Sequence, residues 1–190
     1  MTVLSQGQEW TVADGDGTAL TRVRMGIGWD KDPTAGAIAS GRADIDLDAT
    51  AMQFAEGQLF DIAFYNNLST RDGSVVHQGD NQTGSGGGDD ETIHVDLGRV
   101  YGKVDTIVFL VSSYQGHDLT WVNNAYCRLL DDDDDGVELA RYTLTAGSSQ
   151  TGMVMAKLVR QGDGWKLVTV GEGVAVSVPT EAVDKVRRFV

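Results

Sequence analysis

Residues 93–111, IHVDLGRVYGKVDTIVFLV, decide the fold class. Ile93, Val95 and Leu97 alternate with His94 and Asp96. A two-residue period sends apolar side chains to one face of an extended chain, so this reads as a half-buried strand. Ile107 to Val111 is apolar throughout. A run that short fits a central strand covered on both faces.

The same alternation extends outward on both sides. Val23, Met25, Ile27 and Trp29 alternate with arginines and glycines, and Ile45, Leu47, Ala49 and Ala51 with Asp44, Asp46, Asp48 and Thr50. Phe60, Ile62 and Phe64 alternate with Asp61, Ala63 and Tyr65. Further strands are expected over 125–130, 138–144, 151–159, 165–170 and 174–178. Turn residues separate them at Asp134-Asp-Gly136, Ala146-Gly-Ser148, Gln161-Gly-Asp-Gly164 and Gly171-Glu-Gly173. Only the tail from Pro179 reads as helical, with Thr180 as its cap and Ala182, Val183, Val186 and Phe189 on one stripe. Many short strands joined by short turns predict an all-β chain: a two-sheet antiparallel β-sandwich with a short C-terminal helix. With no linker and no internal repeat, residues 1–190 are expected to form a single domain.

Composition narrows the partners. The chain has 190 residues, a formal net charge of −13 and a pI near 4.4. Such a surface repels phosphate backbones, which argues against nucleic acid. An anionic membrane is disfavoured too, unless Ca²⁺ bridges the two negative surfaces. The single cysteine, Cys127, allows no internal disulfide and reads as a small core residue. The N-terminus MTVLSQGQEW lacks the pattern of a secretory signal, and no apolar run reaches membrane-spanning length. These features predict a cytoplasmic protein.

The densest chemistry lies in residues 66–91, NNLSTRDGSVVHQGDNQTGSGGGDDE. Asp72, Asp80, Asp89, Asp90, Glu91, Asn66, Asn67 and Asn81 stand there among glycines, with Arg71 the one Lys/Arg residue. Carboxylates and amide carbonyls are hard oxygen ligands, the kind Ca²⁺ gathers in shells of six to eight at roughly 2.3–2.6 Å. Glycine lets backbone carbonyls turn inward. Asp44, Asp46 and Asp48 form a second acidic strip about twenty residues upstream. Asp, Asn and Gly also build ordinary surface turns, and the 44–48 strip also fits a solvated edge strand. Five carboxylates with almost no counter-charge either splay apart or share a cation.

Other acidic runs carry less. Residues 131–136, DDDDDG, copy the first half of an EF-hand loop, but its closing glutamate position holds Tyr142. We read this run as a hairpin turn bearing a solvated charge cluster. His77, His94 and His117 are scattered, and neither a Gly-x-Ser-x-Gly elbow nor a phosphate loop is present.

Together the strings GIGWD (26–30), DIDLDATA (44–51), FYNNLSTRDGSVVHQGDNQTGSGGGDDE (64–91), IHVDLGRV (93–100), NAYCRLLD (124–131) and ELARYTL (138–144) closely resemble the TerD family of bacterial tellurium-resistance and general stress proteins. The resemblance spans essentially the whole chain. It implies a C2-like sandwich that binds Ca²⁺ in loops at one end, in a cytoplasmic protein found partly at the inner membrane face. It implies no known enzymatic activity. Carried over residue by residue, the implied ion ligands are Asp30; Asp44, Asp46 and Asp48; Asn66, Asn67, Ser69 and Asp72; Gly79, Asp80 and Asn81; and Asp89, Asp90 and Glu91. Ser112–Val122 and the chain from Gly171 depart from the family pattern, which bears on partner surfaces rather than on the ion loops.

The expected function is thus a Ca²⁺-binding stress-response protein holding two ions. It would act by ion-dependent binding, with other stress or tellurium-resistance proteins or the inner membrane face as partners. A metal-dependent hydrolase using loop carboxylates is the alternative, and an ion-free scaffold subunit is a third reading.

Overall fold

The computed structural model describes residues 2–30, 46–79, 88–134, 136–143, 148–176 and 178–190. Twelve strands are seen among them: β1 (Thr2–Leu4), β2 (Glu9–Thr11), β3 (Arg22–Asp30), β4 (Leu47–Ala55), β5 (Gln58–Ala63), β6 (Val75–His77), β7 (Glu91–Asp96), β8 (Thr106–Ser113), β9 (Asn123–Asp131), β10 (Glu138–Thr143), β11 (Gly152–Gln161) and β12 (Gly164–Val174). One sheet has the order β1-β10-β9-β3-β7-β6 and the other β2-β12-β11-β8-β4-β5. All pairings are antiparallel except β1 with β10.

Alternation explains the layers. Val23, Met25 and Ile27 of β3, Ile93 and Val95 of β7, and Cys127 and Leu129 of β9 meet Ala49, Ile107, Phe109, Met155 and Leu167 from the facing sheet in one buried cluster. Fully burying one such large apolar side chain contributes about 1.5–3 kcal/mol, and this shared core holds the layers together. Strand β8 is buried along its whole length, as its continuous apolar run predicts. Its outward residues Val108 and Leu110 join Met52, Phe54 and Val154 in a second cluster. The C-terminal segment covers that cluster with Ala182, Val186 and Phe189.

Three expectations change. Residues 165–170 and 174–178 are not separate strands: β12 runs through Gly171-Glu-Gly173, opposite an irregularity between Val154 and Ala156. Gly171 takes φ +65° there, so the apparent turn signal is a bulge. The tail contains only a four-residue helix, α1 (Val183–Val186), flanked by 3₁₀ turns, and Thr180 does not cap it. Asp48 of the acidic strip is not solvated either: it is 3% exposed, although β5 pairs with β4 only from Ala51 onward.

Residues 132–134 and Gly136 stand in the β9–β10 hairpin turn, as expected, but the charges of Asp132 and Asp133 are not simply solvated. Asp132 stands 2.6 Å from His94 Nδ1, and Arg22 Nε donates to Asp133 at 2.6 Å. Cys127 is buried, and burial pushes its thiol up to about 12, which keeps it inert.

Candidate functional site

The two ends of the sandwich differ. At one, β3 finishes, β7 begins, β4 begins, and β6 and β8 finish; we call it the upper end. The register sets Ile27 beside Glu91, Leu47 beside Ser113 and Asp30 beside Asn123.

The chain entering β7 is pinned here. Asp90 donates its amide to the Ile27 carbonyl at 2.8 Å, while its Oδ2 accepts from the Trp29 amide at 3.0 Å. Glu91 follows and is 2% exposed. Its Oε2 accepts from the Ala49 amide, at the point where β5 has left the β4 edge. His77 Nε2 lies 3.3 Å from the same oxygen, near but without hydrogen-bond alignment, and neither side chain is exposed. The Gly79 amide donates to His77 Nδ1 at 3.1 Å, so that nitrogen is an acceptor. The second oxygen, Oε1 of Glu91, is buried with no hydrogen-bond partner.

Asp48 lies opposite Ser112 at the same end. Burial raises the Tyr65 phenol, and the nearby Asp48 charge raises it further. Asp46 precedes β4; its carbonyl accepts from the Tyr114 amide at 3.1 Å. Thus Asp46, Asp48, Asp90 and Glu91, drawn from two separate acidic motifs, are brought to one end.

Asp89 is there too, in a different setting. Arg128 grips it with Nε to Oδ1 at 2.7 Å and Nη2 to Oδ2 at 3.1 Å. The Tyr126 hydroxyl donates to the Gly88 carbonyl at 2.7 Å and stands 3.2 Å from Asp89 Oδ1.

Asp72 is not brought here. Its Oδ1 accepts from the Thr70 hydroxyl at 2.8 Å, the Ser74 amide at 3.0 Å and the Ser74 hydroxyl at 2.8 Å. Its Oδ2 accepts from the Tyr101 amide at 3.0 Å and Gln53 Nε2 at 3.3 Å. Gln53 lies five residues along β4 from Asp48, about 17 Å at the usual strand rise. Asp72 therefore clamps the lower end. Burial raises its pKa, but the donated hydrogen bonds win and the net shift is downward.

Asn66 and Ser69 are exposed. Asn67 closes the turn after β5, donating its side-chain amide to the Ile62 carbonyl at 2.6 Å. Gly79 takes φ +107°, a conformation that suits glycine. Asp44, Asp80 and Asn81 lie outside the described residues, as does the side chain of Asp30. Among the described residues, no three His, Cys, Asp or Glu side chains form a group ready to hold a metal.

The upper end nonetheless suits a hard cation. A buried carboxylate oxygen with no donor is costly, and a cation relieves it. Oxygen donors from Asp and Glu are the set Ca²⁺ takes. Sequence reasoning missed Arg128, Tyr126 and His77. Alternation places Tyr126 and Arg128 on the face opposite Cys127 and Leu129, but no local signal ties either to Asp89.

Residues 1–180 match the family model described as TerD domain. The chain is 39% identical over 160 residues to tellurium resistance protein TerZ of Serratia marcescens, covering 82% of each chain. It is 40% identical over 166 residues to tellurium resistance protein TerD of an Alcaligenes species, covering 83% of each. Stress response protein SCP2 of Bacillus subtilis is 33% identical over 200 residues, covering 98% of each. A crystal structure of a homologue of telluride resistance protein from Streptomyces coelicolor A3(2) shares the fold, with TM-score 0.66 at 22% identity over 86% of this chain and 95% of that one. Among the described residues, no helix is long and apolar enough to cross a membrane.

Proposed function

The chain belongs to the TerD domain family, and on that premise we propose that it is a cytoplasmic Ca²⁺-binding stress-response protein of the tellurite-resistance type. It acts by ion-dependent binding rather than by catalysis. One observation carries this reading: Glu91 Oε1 is buried without a hydrogen-bond partner, at the end of the sandwich where Asp46, Asp48 and Asp90 also lie.

Each residue of that end has a task. The Ala49 amide orients the Glu91 carboxylate, and the Ile27 and Trp29 backbones hold Asp90. Asp48 is buried near the start of β4, opposite Ser112. Asp30, Asp44, Asp80 and Asn81 belong to the same motifs and are proposed to complete shells for two ions. Bound Ca²⁺ would supply positive charge to an end that otherwise repels anionic partners. A lipid headgroup at the inner membrane face, or an acidic face of another stress-response protein, could then meet it.

Calorimetric titration with Ca²⁺, with and without chelator, tests the reading. An ion that binds only the native state adds about 2.7 kcal/mol of stability at a hundredfold excess over Kd. The melting temperature should therefore rise in millimolar Ca²⁺, with Mg²⁺ a poor substitute because it demands a small octahedral shell. Identical melting curves in chelator and in Ca²⁺ would sink it.

A further inference from the structure

We propose that Arg128 is a positioning residue for the upper end: it fixes the Gly88–Glu91 turn by holding Asp89, so Asp89 is an anchor while Asp90 and Glu91 face the ion. This rests on the ion-binding reading above.

The family motif counts Asp89 among the implied acidic ligands. Both of its oxygens are taken by one guanidinium, through the 2.7 and 3.1 Å bonds to Nε and Nη2. Its side chain is 10% exposed. A paired geometry of this kind is among the strongest charge-assisted contacts, and it is directional. An ion using Asp89 would have to displace the arginine.

Arg128 is itself held. Its Nη1 donates to Glu138 Oε2 at 3.0 Å, and Glu138 accepts from Arg141 Nε and Nη2, each at 2.8 Å. The Arg141 guanidinium lies 4.3 Å above the Tyr126 ring. Two carboxylates and two guanidinium groups alternate, so the row is neutral and leaves Asp89 no surplus charge for an ion. The hydrogen bond to Asp89 raises the Arg128 pKa, so its charge is permanent. Burial, with Asp89 beside it, pushes the Tyr126 phenol up to about 12, so that group remains a donor to the turn.

The turn so held is the one that aims the ion-facing groups. Asp90 is the next residue, with its amide on Ile27 and its carboxylate on the Trp29 amide. Glu91 is the next again, with its unpartnered oxygen. Partners that orient metal ligands from behind are worth 10–100-fold in affinity, roughly, when removed.

Arg128→Lys is the test, because lysine keeps the charge and loses the two-pronged grip. Ca²⁺ affinity by calorimetry should fall about tenfold with the number of ions unchanged. In the ion-free protein, hydrogen exchange at the Asp90 and Trp29 amides should quicken. Arg141→Lys, which touches Glu138 but not Asp89, should leave the affinity as it was. Asp89→Asn should weaken binding as Arg128→Lys does and also keep the ion count. Wild-type or tighter affinity in Arg128→Lys, or loss of one bound ion in Asp89→Asn alone, would overturn the proposal. Should the wild-type protein take up no Ca²⁺, the ion reading fails. The exchange rates then still decide whether Arg128 anchors the turn: unchanged rates in Arg128→Lys refute it.

Discussion

Asp89 lies against the bare face of Gly26: a Cβ on residue 26 would collide with its carboxylate. The carboxylate cannot move aside freely, because Arg128 holds both oxygens. Gly26 is therefore required by close approach, not by backbone angle. Gly26→Ala should destabilise the protein by about 1–3 kcal/mol, the usual range for overpacking. Gly102→Ala meets open space and should be near neutral. Thermal melts of the two variants side by side check this; equal melting temperatures would show that the Asp89 contact is soft.

Glu91→Gln should separate stability from ion response. The amide oxygen can still accept from the Ala49 amide, and the NH₂ would stand where the partnerless oxygen stands now. Replacing a buried carboxylate whose Oε1 has no donor should leave the ion-free protein as stable as before, or more stable by about 1 kcal/mol. The Ca²⁺-induced rise in melting temperature should vanish. A variant that melts well below wild type in chelator yet still responds to Ca²⁺ would contradict both halves.

Asp72→Asn should do the reverse. All five contacts to this carboxylate are donors, and an amide would turn an NH₂ toward some of them. We expect a loss of about 2–3 kcal/mol in chemical denaturation. Ca²⁺ affinity should stay at the wild-type value, since the clamp lies at the lower end. A large loss of affinity in a variant of wild-type stability would return Asp72 to the ion site.

Much of this was legible in the sequence, for a physical reason. Alternation over 22–29 and 91–97 and the continuous run at 107–111 report directly which faces are buried, so the two-layer class followed. The acidic motifs flagged the upper end because hard-oxygen residues are conspicuous. What was hidden depends on tertiary placement. Nothing local distinguishes Asp72, which accepts five hydrogen bonds, from Asp90, which lies beside β3 at the other end. The Gly171-Glu-Gly173 turn signal was misleading because a bulge also needs a glycine at positive φ. Arg128 sits in a strand whose pattern predicts only an outward side chain; its link to Asp89, 39 positions away, exists only once β9 lies beside β3.

The charged row on the outer face gives a pH dependence with a definite sign. Hydrogen bonding from Arg141 lowers the Glu138 pKa, opposed by burial and aided by Arg128, with a net shift below the ordinary 4.5. The folded state thus binds this proton less readily than the unfolded state. A depressed carboxylate contributes stability that is complete above the unfolded value and is lost as pH falls through the folded one. Asp72 acts in the same direction below its ordinary 3.8. In chelator, the melting temperature should be nearly flat above about pH 5 and should drop progressively on acidification toward about pH 3. Glu138→Gln should melt lower than wild type near neutral pH and lose less on acidification, because its pairing with Arg128 and Arg141 is already gone. Thermal melts of both proteins across that range measure the difference. Parallel curves would mean that Glu138 is ionised equally well folded and unfolded, and that the row from Asp89 to Arg141 adds no stability of its own.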